Sequence, residues 1–222
     1  MKQITFYLDF ISPYADLAFE HLPEALQGLS YRVRLRPVLF AALLKHHGQL
    51  GPVEVAPKRD WTYRQVLWQA HTLGIELSMP ASHPFKSLSL LRLAIACSSA
   101  AEPGEPNRYV CETLFRHVWR GGGDAVDAER LTGLQQQLLP GLSDAARQAL
   151  LGSESVKAQL KQNTSEAITR GVFGVPAFAV DDKVFWGLDS LPMLRAYLQG
   201  DAWFSGPDWA AVAAVRARVQ RR

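Results

Sequence analysis

Residues 10–14, F-I-S-P-Y, place a serine hydroxyl between an apolar, strand-like segment and a predicted helix start. Serine followed by proline is ordinary helix-capping chemistry, because the serine oxygen accepts a backbone N–H and proline tolerates the first helical turn. A helix N-terminus also offers free N–H groups and a partial positive charge, which stabilise an anion such as a thiolate. Ser12 is therefore a helix cap or a thiolate-binding group, and one residue can be both.

Two further motifs near the C-terminal end of the sequence could carry chemistry. In G-V-F-G-V-P-A-F, Val175-Pro176 opens a strand, where proline cannot donate a ladder hydrogen bond and an X-Pro bond can be cis. The alternative is a plain strand-entry proline. In W-G-L-D-S, Gly187 permits an unusual turn, and Asp189 with Ser190 would cap the last helix. A carboxylate and N–H groups at that turn could equally bind the ammonium and carboxylate of an amino acid.

The sequence lacks the motifs of metal binding, disulfide exchange, acyl transfer and phosphate binding. His46 and His47 are adjacent and have no metal-ligand spacing, so we interpret them as surface residues. Cys97 and Cys111 do not form a C-x-x-C pair and are expected to be buried free thiols, which disfavours a thiol-disulfide oxidoreductase. No G-x-S-x-G elbow surrounds Ser12, and no phosphate-binding glycine loop is present.

Composition and charge indicate a globular protein. The 222 residues are 48% hydrophobic, which suffices for one sizeable core with a second layer or insert. The net charge of +3 gives no reason to expect nucleic acid, and we expect no signal peptide, no membrane segment and a cytoplasmic location. The C-terminal end of the sequence carries one basic cluster, which is better explained as a charged helical tail than as a binding patch. That cluster comprises Arg216, Arg218, Arg221 and Arg222.

The predicted elements give the order β-α-β, helical segment, β-β-α. Residues 31–39 alternate strictly, with Arg32, Arg34 and Arg36 on one face, and residues 59–169 show successive helical periods without a strand. The remaining predictions are a strand at 3–10, a helix at 15–26, a hairpin from 171 and a helix near 191–198. This order predicts an α/β, thioredoxin-like fold with a large all-helical insertion between its βαβ and ββα halves. The expected domains are 1–57 with 170–200, the insertion 58–169, and a helical tail at 201–222.

The three motifs, in this order around a helical insert, resemble the 2-hydroxychromene-2-carboxylate isomerases and their relatives, the kappa-class glutathione transferases. The resemblance covers residues 3–199 and implies a DsbA-like thioredoxin fold with glutathione as cofactor. It places Ser12, as the catalytic residue, where redox relatives carry their first active-site cysteine. It also implies a homodimer and a small aromatic carboxylate as substrate.

The resemblance implies roles for further residues. Glutathione would be held by Ser12, Val175, Pro176, Trp186, Gly187, Leu188 and Asp189. The substrate would contact Gly48, Gln49 and Lys58, although Gln49 stands where the family usually has asparagine. A cationic group should hold the substrate carboxylate, and Lys58, Lys86 and Arg36 are the candidates, each of which could instead be a solvated surface charge. No metal is expected.

We therefore expect a glutathione-dependent cis-trans isomerase of aromatic compound catabolism, acting on 2-hydroxychromene-2-carboxylate or a close analogue. One alternative is a kappa-class-like glutathione transferase. Another is a non-catalytic, thioredoxin-like binding protein.

Overall fold

A mixed sheet of four strands lies at the centre of the computed structural model, which describes residues 1–215. The strand order is β2-β1-β3-β4; β1 pairs with β2 in parallel and with β3 antiparallel, and β4 pairs with β3 antiparallel. The strand bounds are Lys2–Leu8 for β1, Tyr31–Pro37 for β2, Ala177–Val180 for β3 and Lys183–Trp186 for β4. The parallel βαβ unit and the C-terminal hairpin agree with the predicted order.

Strand β1 has core on both faces of the sheet, which explains its aromatic and β-branched composition. Ile4, Phe6 and Leu8 enter the larger hydrophobic cluster, whereas Tyr7 packs in a smaller cluster with Ala177. Because side chains alternate along a strand, one apolar segment can supply both layers.

Helices connect and cover the sheet. Helix α1 joins β1 to β2, helices α2 to α8 lie between β2 and β3, and α9 and α10 follow β4. The predicted helical middle is confirmed. The bounds are α1 Pro13–Ala25, α2 Phe40–His46, α3 Ala56–Leu73, α4 Leu88–Ala96, α5 Arg108–Trp119, α6 Ala128–Leu138, α7 Asp144–Leu151, α8 Glu154–Thr169, α9 Leu191–Leu198 and α10 Pro207–Ala211. Helix α3 starts just before the expected boundary at 58, and the division into domains stays a prediction.

The segment after α9 packs onto the sheet half of the molecule. Phe204 is buried against the rings of Phe185 and Tyr197, and the Lys183 ammonium lies over the Trp209 ring at 5.3 Å from its centroid. This segment forms α10 flanked by 3-10 turns up to Ala214, and the predicted helical tail over 201–222 stays a prediction. The basic cluster from Arg216 onward lies outside the described residues.

Candidate active site

The predicted motifs meet at one cavity of about 500 Å³, at the C-terminal end of the parallel strands. The segment after β1 supplies Ser12, Phe40 follows β2, and the loops before β3 and after β4 close the opposite wall. Eight of the residues predicted to bind glutathione or substrate line it. They are Ser12, Gln49, Val175, Pro176, Trp186, Gly187, Leu188 and Asp189.

Ser12 is buried at the N-cap of α1 and makes two hydrogen bonds. Its Oγ accepts from the Ala15 N–H at 3.3 Å and donates to the Val175 carbonyl oxygen at 3.3 Å. The capping interpretation is therefore confirmed. The same geometry leaves the hydroxyl at the positive end of a helix of 13 residues, beside the cavity.

Asp9 fixes the turn that carries Ser12. Its carboxylate accepts from the Ile11 N–H at 3.2 Å and from the Phe40 N–H at 3.0 Å, and its carbonyl oxygen accepts from the Ser12 N–H at 3.0 Å. Burial raises the pKa of Asp9 to about 6, against the opposing effect of these N–H donors. Asp9 therefore ties the turn before α1 to the start of α2.

The helical insertion holds the same turn from the other side. The Trp119 indole N–H donates to the Phe10 carbonyl at 2.9 Å, and His83 Nε2 lies 2.8 Å from the Ile11 carbonyl. The Tyr63 hydroxyl lies 2.9 Å from His83 Nδ1, and burial lowers the pKa of His83. A neutral imidazole that donates from Nε2 and accepts at Nδ1 satisfies both contacts.

The Val175–Pro176 peptide bond is cis, as the resemblance implied. The Val175 carbonyl bonds to Ser12, whereas its N–H has no hydrogen-bond partner among residues 1–215. The Gly187 N–H donates to the Pro176 carbonyl at 2.9 Å, so the two loops are joined across the cavity wall. A peptide ligand could pair with the free Val175 N–H.

The turn at Gly187 presents an acidic side chain to the cavity. Gly187 has φ +96°, and a Cβ built there would overlap with Asp189 Oδ1. The prediction that Asp189 and Ser190 cap α9 is wrong: no side chain caps this helix, and Ser190 Oγ instead donates to the Gly187 carbonyl at 2.8 Å. The Asp189 carboxylate is exposed and has no hydrogen-bond partner in the described part of the chain, which leaves it available to an ammonium group.

Two aromatic side chains form the rim beside this turn. Phe173 and Trp186 are in contact, with ring centroids 4.9 Å apart and ring planes tilted by 54°, and both are partly exposed. A Cβ at Gly174 would meet Trp186 Nε1 at 2.6 Å, so this glycine is needed for the indole to lie close to the backbone. The rim offers an apolar surface to a ligand.

Gly48 and Gln49 end helix α2. The Gln49 N–H donates to the Leu44 carbonyl and the Gly48 N–H to the Lys45 carbonyl, with Gly48 at φ +63°, which is a Schellman motif. Gln49 lines the cavity; Gly48 shapes the turn and does not line it. The substrate-binding role of both residues stays a prediction.

The three candidate cations for a substrate carboxylate do not line the cavity. Lys58 is exposed on the first turn of α3, and Lys86 is exposed before α4. Arg36 is buried and paired with Glu105, at 3.3 Å, and with Glu166. Within residues 1–215, no lysine or arginine lines the cavity. The role of Lys58 stays a prediction.

Sequence reasoning missed the wall supplied by α1 and α3. Thr62, Gln65 and Gln69 of α3 line the cavity, and the Tyr14 hydroxyl of α1 donates to Gln65 Oε1 at 2.7 Å. The spacing 62, 65, 69 was a visible signal, because residues three and four apart share a helix face. A polar stripe of this kind on a helix is usually solvated, and the sequence did not indicate what it faces.

Cys97 and Cys111 are free, as predicted, with Cys111 buried and Cys97 partly buried. Neither lines the cavity, and burial raises the pKa of both thiols. Among the described residues, no group of three or more His, Cys, Asp or Glu side chains could hold a metal ion. In the same part of the chain, the helices are too short or too polar to span a lipid bilayer.

Comparisons with known proteins agree with this architecture. The family model of the DSBA-like thioredoxin domain matches residues 3–199. A 2-hydroxychromene-2-carboxylate isomerase from Sphingobium xenophagum is 30% identical over 200 residues, covering 89% of this chain and 98% of that protein. Glutathione S-transferase kappa 1 from Rattus norvegicus is 27% identical over 218 residues, covering 93% of this chain and 94% of that protein.

A solved structure of a 2-hydroxychromene-2-carboxylate isomerase gives a TM-score of 0.72 at 27% identity, covering 93% of this chain and 98% of that one. The resemblance inferred from the three motifs is confirmed, and so is the thioredoxin-like fold with its helical insertion.

Proposed function

Because this chain belongs to the DSBA-like thioredoxin family, we propose that it is a glutathione-dependent isomerase of 2-hydroxychromene-2-carboxylate or a related intermediate of aromatic degradation. The observation that carries the proposal is the Ser12 hydroxyl, buried at the N-terminus of α1 and beside the cavity. A hydroxyl there can stabilise a thiolate that the ligand brings, whereas the C-x-x-C pair needed for disulfide exchange is absent from the sequence.

The cavity suits glutathione along its length. The free N–H of Val175 can pair with the cysteinyl backbone, which brings the thiol to Ser12. The Asp189 carboxylate and the turn from Gly187 to Leu188 suit the ammonium and carboxylate of the γ-glutamyl end, and Trp186 covers the peptide beside them.

The energy needed to ionise the thiol is within reach of these groups. A free thiol has a pKa near 8.5, so only about 3% is thiolate at pH 7, and lowering the pKa by about two requires roughly 2.7 kcal/mol. A hydrogen bond to a charged acceptor contributes roughly 1.5 to 3 kcal/mol and a helix N-terminus roughly 0.3 to 1. Ser12 and α1 together therefore supply most of this energy without a general base.

Bound glutathione would supply a sulfur nucleophile that adds reversibly to a conjugated carbon, so that a double bond becomes single, rotates and re-forms on elimination. The chain's own residues hold the thiolate, exclude water with the Phe173–Trp186 rim, and orient the second substrate against the α3 wall. Gly48, Gln49 and Lys58 are proposed to contact that substrate, with Lys58 reaching its carboxylate from outside the described cavity wall.

The test is a glutathione titration followed by ultraviolet absorbance of the thiolate from pH 5 to 9. We expect a saturable band with a lowered apparent pKa in the wild type, lost in Ser12→Ala. Ser153→Ala is the matched control, because Ser153 caps α8 with the same 3.3 Å bond to a backbone N–H and is absent from the cavity. The band should survive in that variant. No binding at millimolar glutathione would leave a non-catalytic, thioredoxin-like binding protein as the better hypothesis.

A kappa-class-like glutathione transferase is the second candidate, favoured by the similarity to the rat kappa transferase over 93% of this chain. The two activities differ in the fate of the thiol: an isomerase regenerates glutathione, whereas a transferase consumes one molecule per turnover. Measuring free thiol during turnover of a hydroxychromene carboxylate and of an alkylating electrophile separates them. A cytoplasmic location and a homodimer are part of the proposal, because glutathione is reduced in that compartment and the family resemblance implies a dimer.

A further inference from the structure

Tyr14 lies in the first turn of α1, two residues after Ser12, and lines the same cavity. Its hydroxyl donates to Gln65 Oε1 of α3 at 2.7 Å, so the pair bridges two walls of the cavity. This hydrogen bond links the side chains of two different helices, at positions 51 apart in the sequence. The Tyr14 hydroxyl group thus lies at the cavity that holds the proposed thiolate, with its one proton donated to Gln65.

The cavity offers no cationic side chain to polarise a second substrate. Its lining within residues 1–215 includes Asp189 and several neutral donors, but no lysine or arginine. When a nucleophile adds to a conjugated carbonyl compound, the carbonyl oxygen takes up the electron pair and needs a hydrogen-bond donor. Ser12 is committed to the sulfur, and His83 Nε2 is engaged with the Ile11 carbonyl. The phenol of Tyr14 is more acidic than the remaining side-chain donors of the cavity, which include the Thr62 hydroxyl and the amides of Gln49, Gln65 and Gln69.

Tyr14 is also in the correct state to donate. Burial and the nearby Asp189 charge raise its pKa, so the hydroxyl keeps its proton at neutral pH and above. If the Gln65 amide turns over, its NH₂ group donates to the phenol oxygen and the Tyr14 O–H is released toward the cavity. Gln65 is then the positioning residue for Tyr14.

We propose that Tyr14 is a catalytic residue whose hydroxyl, held by Gln65, donates a hydrogen bond to the carbonyl oxygen of a conjugated carbonyl substrate. This inference rests on the proposed function and narrows its substrate class: the reacting end is a neutral carbonyl group, recognised by a phenol and not by a cation. No proton is transferred and no further reactant is needed.

The test uses two stable glutathione thioethers that differ in one carbonyl group, S-(3-oxobutyl)glutathione and S-butylglutathione. Calorimetry should show that the wild type prefers the keto compound by about 2- to 12-fold, the range for a neutral hydrogen bond. Tyr14→Phe should abolish this preference while it keeps the affinity for the butyl compound. Tyr109→Phe is the matched control, since Tyr109 is 58% exposed on α5 and does not line the cavity.

A second variant covers the case in which Tyr14→Phe is poorly folded. Gln65→Glu offers the phenol a carboxylate that cannot become a donor, so it should hold the Tyr14 proton and also reduce the keto preference. Equal binding of the two thioethers by the wild type, or a preference that persists in Tyr14→Phe, would overturn the inference and leave the glutathione site standing. Failure of both thioethers to bind at millimolar concentration would overturn the proposed function as well.

Turnover supplies an independent readout. Tyr14→Phe should slow the addition of glutathione to an enone such as 4-phenyl-3-buten-2-one at least several-fold. Conjugation with benzyl chloride, which has no carbonyl oxygen, should stay within about twofold. Equal losses with both electrophiles would assign Tyr14 to structural support of α1.

Discussion

Replacing Gly187 with alanine perturbs the turn that we assign to the γ-glutamyl end of glutathione. Gly187 has φ +96°, and an added Cβ would overlap with Asp189 Oδ1. The Gly187 N–H is bonded to the Pro176 carbonyl at 2.9 Å, so the backbone is held and the Asp189 side chain must turn away. The variant should therefore misplace one carboxylate without removing it.

Two separate magnitudes follow. Alanine at a positive φ costs roughly 1 to 2 kcal/mol of folding free energy, which lowers Tm by about 2 to 8 °C for a chain of this size. Loss of the contact between Asp189 and a ligand ammonium costs roughly 1 to 2 kcal/mol of binding, between an exposed ion pair and a charged hydrogen bond. That binding loss weakens glutathione affinity by about 5- to 30-fold.

Calorimetry with glutathione and with glutaryl-cysteinyl-glycine, which lacks the α-ammonium group, separates the two effects. The wild type should prefer glutathione by about 5- to 30-fold, and both Gly187→Ala and Asp189→Asn should lose this preference. Gly200→Ala is the matched control: Gly200 has φ +84°, and an added Cβ there meets nothing within 4 Å. It should lower Tm by a similar amount and leave the preference intact.

The reasoning would be refuted if Gly187→Ala kept the wild-type preference for the α-ammonium group, because the overlap with Asp189 would then have no consequence for binding. A loss of preference in Gly200→Ala would show that backbone strain, and not the displaced carboxylate, controls affinity. If Asp189→Asn alone kept the preference, the ammonium would lie elsewhere in the cavity.

Three further outcomes are expected. Ser12→Cys should place a thiol at the N-terminus of α1 with a pKa at least about 1 below 8.5. The pH dependence of its alkylation by iodoacetamide measures this pKa, and a value near 8.5 would show that the helix terminus contributes nothing. Asp9 has its pKa raised from 3.8 to about 6 by folding, so its stabilising contribution is complete below pH 3.8 and is lost as pH rises through about 6. The unfolding free energy of the wild type minus that of Asp9→Asn should fall by about 2.4 kcal/mol between pH 4 and 8 in urea titrations, and a flat difference would contradict the raised pKa. Trp119→Phe leaves the buried Phe10 carbonyl without its donor and should cost about 1 to 3 kcal/mol in the same assay, whereas a loss below about 0.5 would show that the bond is not needed.

The order of the elements could be predicted because each has local determinants. Strand β2 alternates arginine with apolar residues, Ser12 with Pro13 is a helix start, and Gly187 carries a turn that other residues tolerate poorly. The resemblance to a known family rested on the same short segments. Their convergence on one cavity followed from the βαβ topology, which brings the ends of β1 and β2 to the same edge of the sheet.

The rest of the site depends on packing that no local pattern specifies. The hydrogen bond between Tyr14 of α1 and Gln65 of α3 joins residues that are 51 positions apart in the sequence. The two backbone carbonyls before Ser12 are hydrogen-bonded to Trp119 and His83 of the insertion. Arg36 illustrates the same difficulty. The alternation of strand β2 made Arg36 a candidate cation for the substrate, whereas the fold buries it between the carboxylates of Glu105 and Glu166.

The hydrogen bonds of Ser12 limit how far the enzyme can lower a thiol pKa. The hydroxyl has one proton, and that proton is engaged with the Val175 carbonyl at 3.3 Å. Donation to a thiolate replaces a neutral bond worth roughly 0.5 to 1.5 kcal/mol by a charged one of roughly 1.5 to 3, so the hydroxyl contributes about 1.2 kcal/mol net. With the helix terminus the total is roughly 2 kcal/mol, which lowers a thiol pKa from 8.5 to about 7. About half of the bound glutathione would then be thiolate at pH 7, and a larger shift would require a second donor to the Val175 carbonyl.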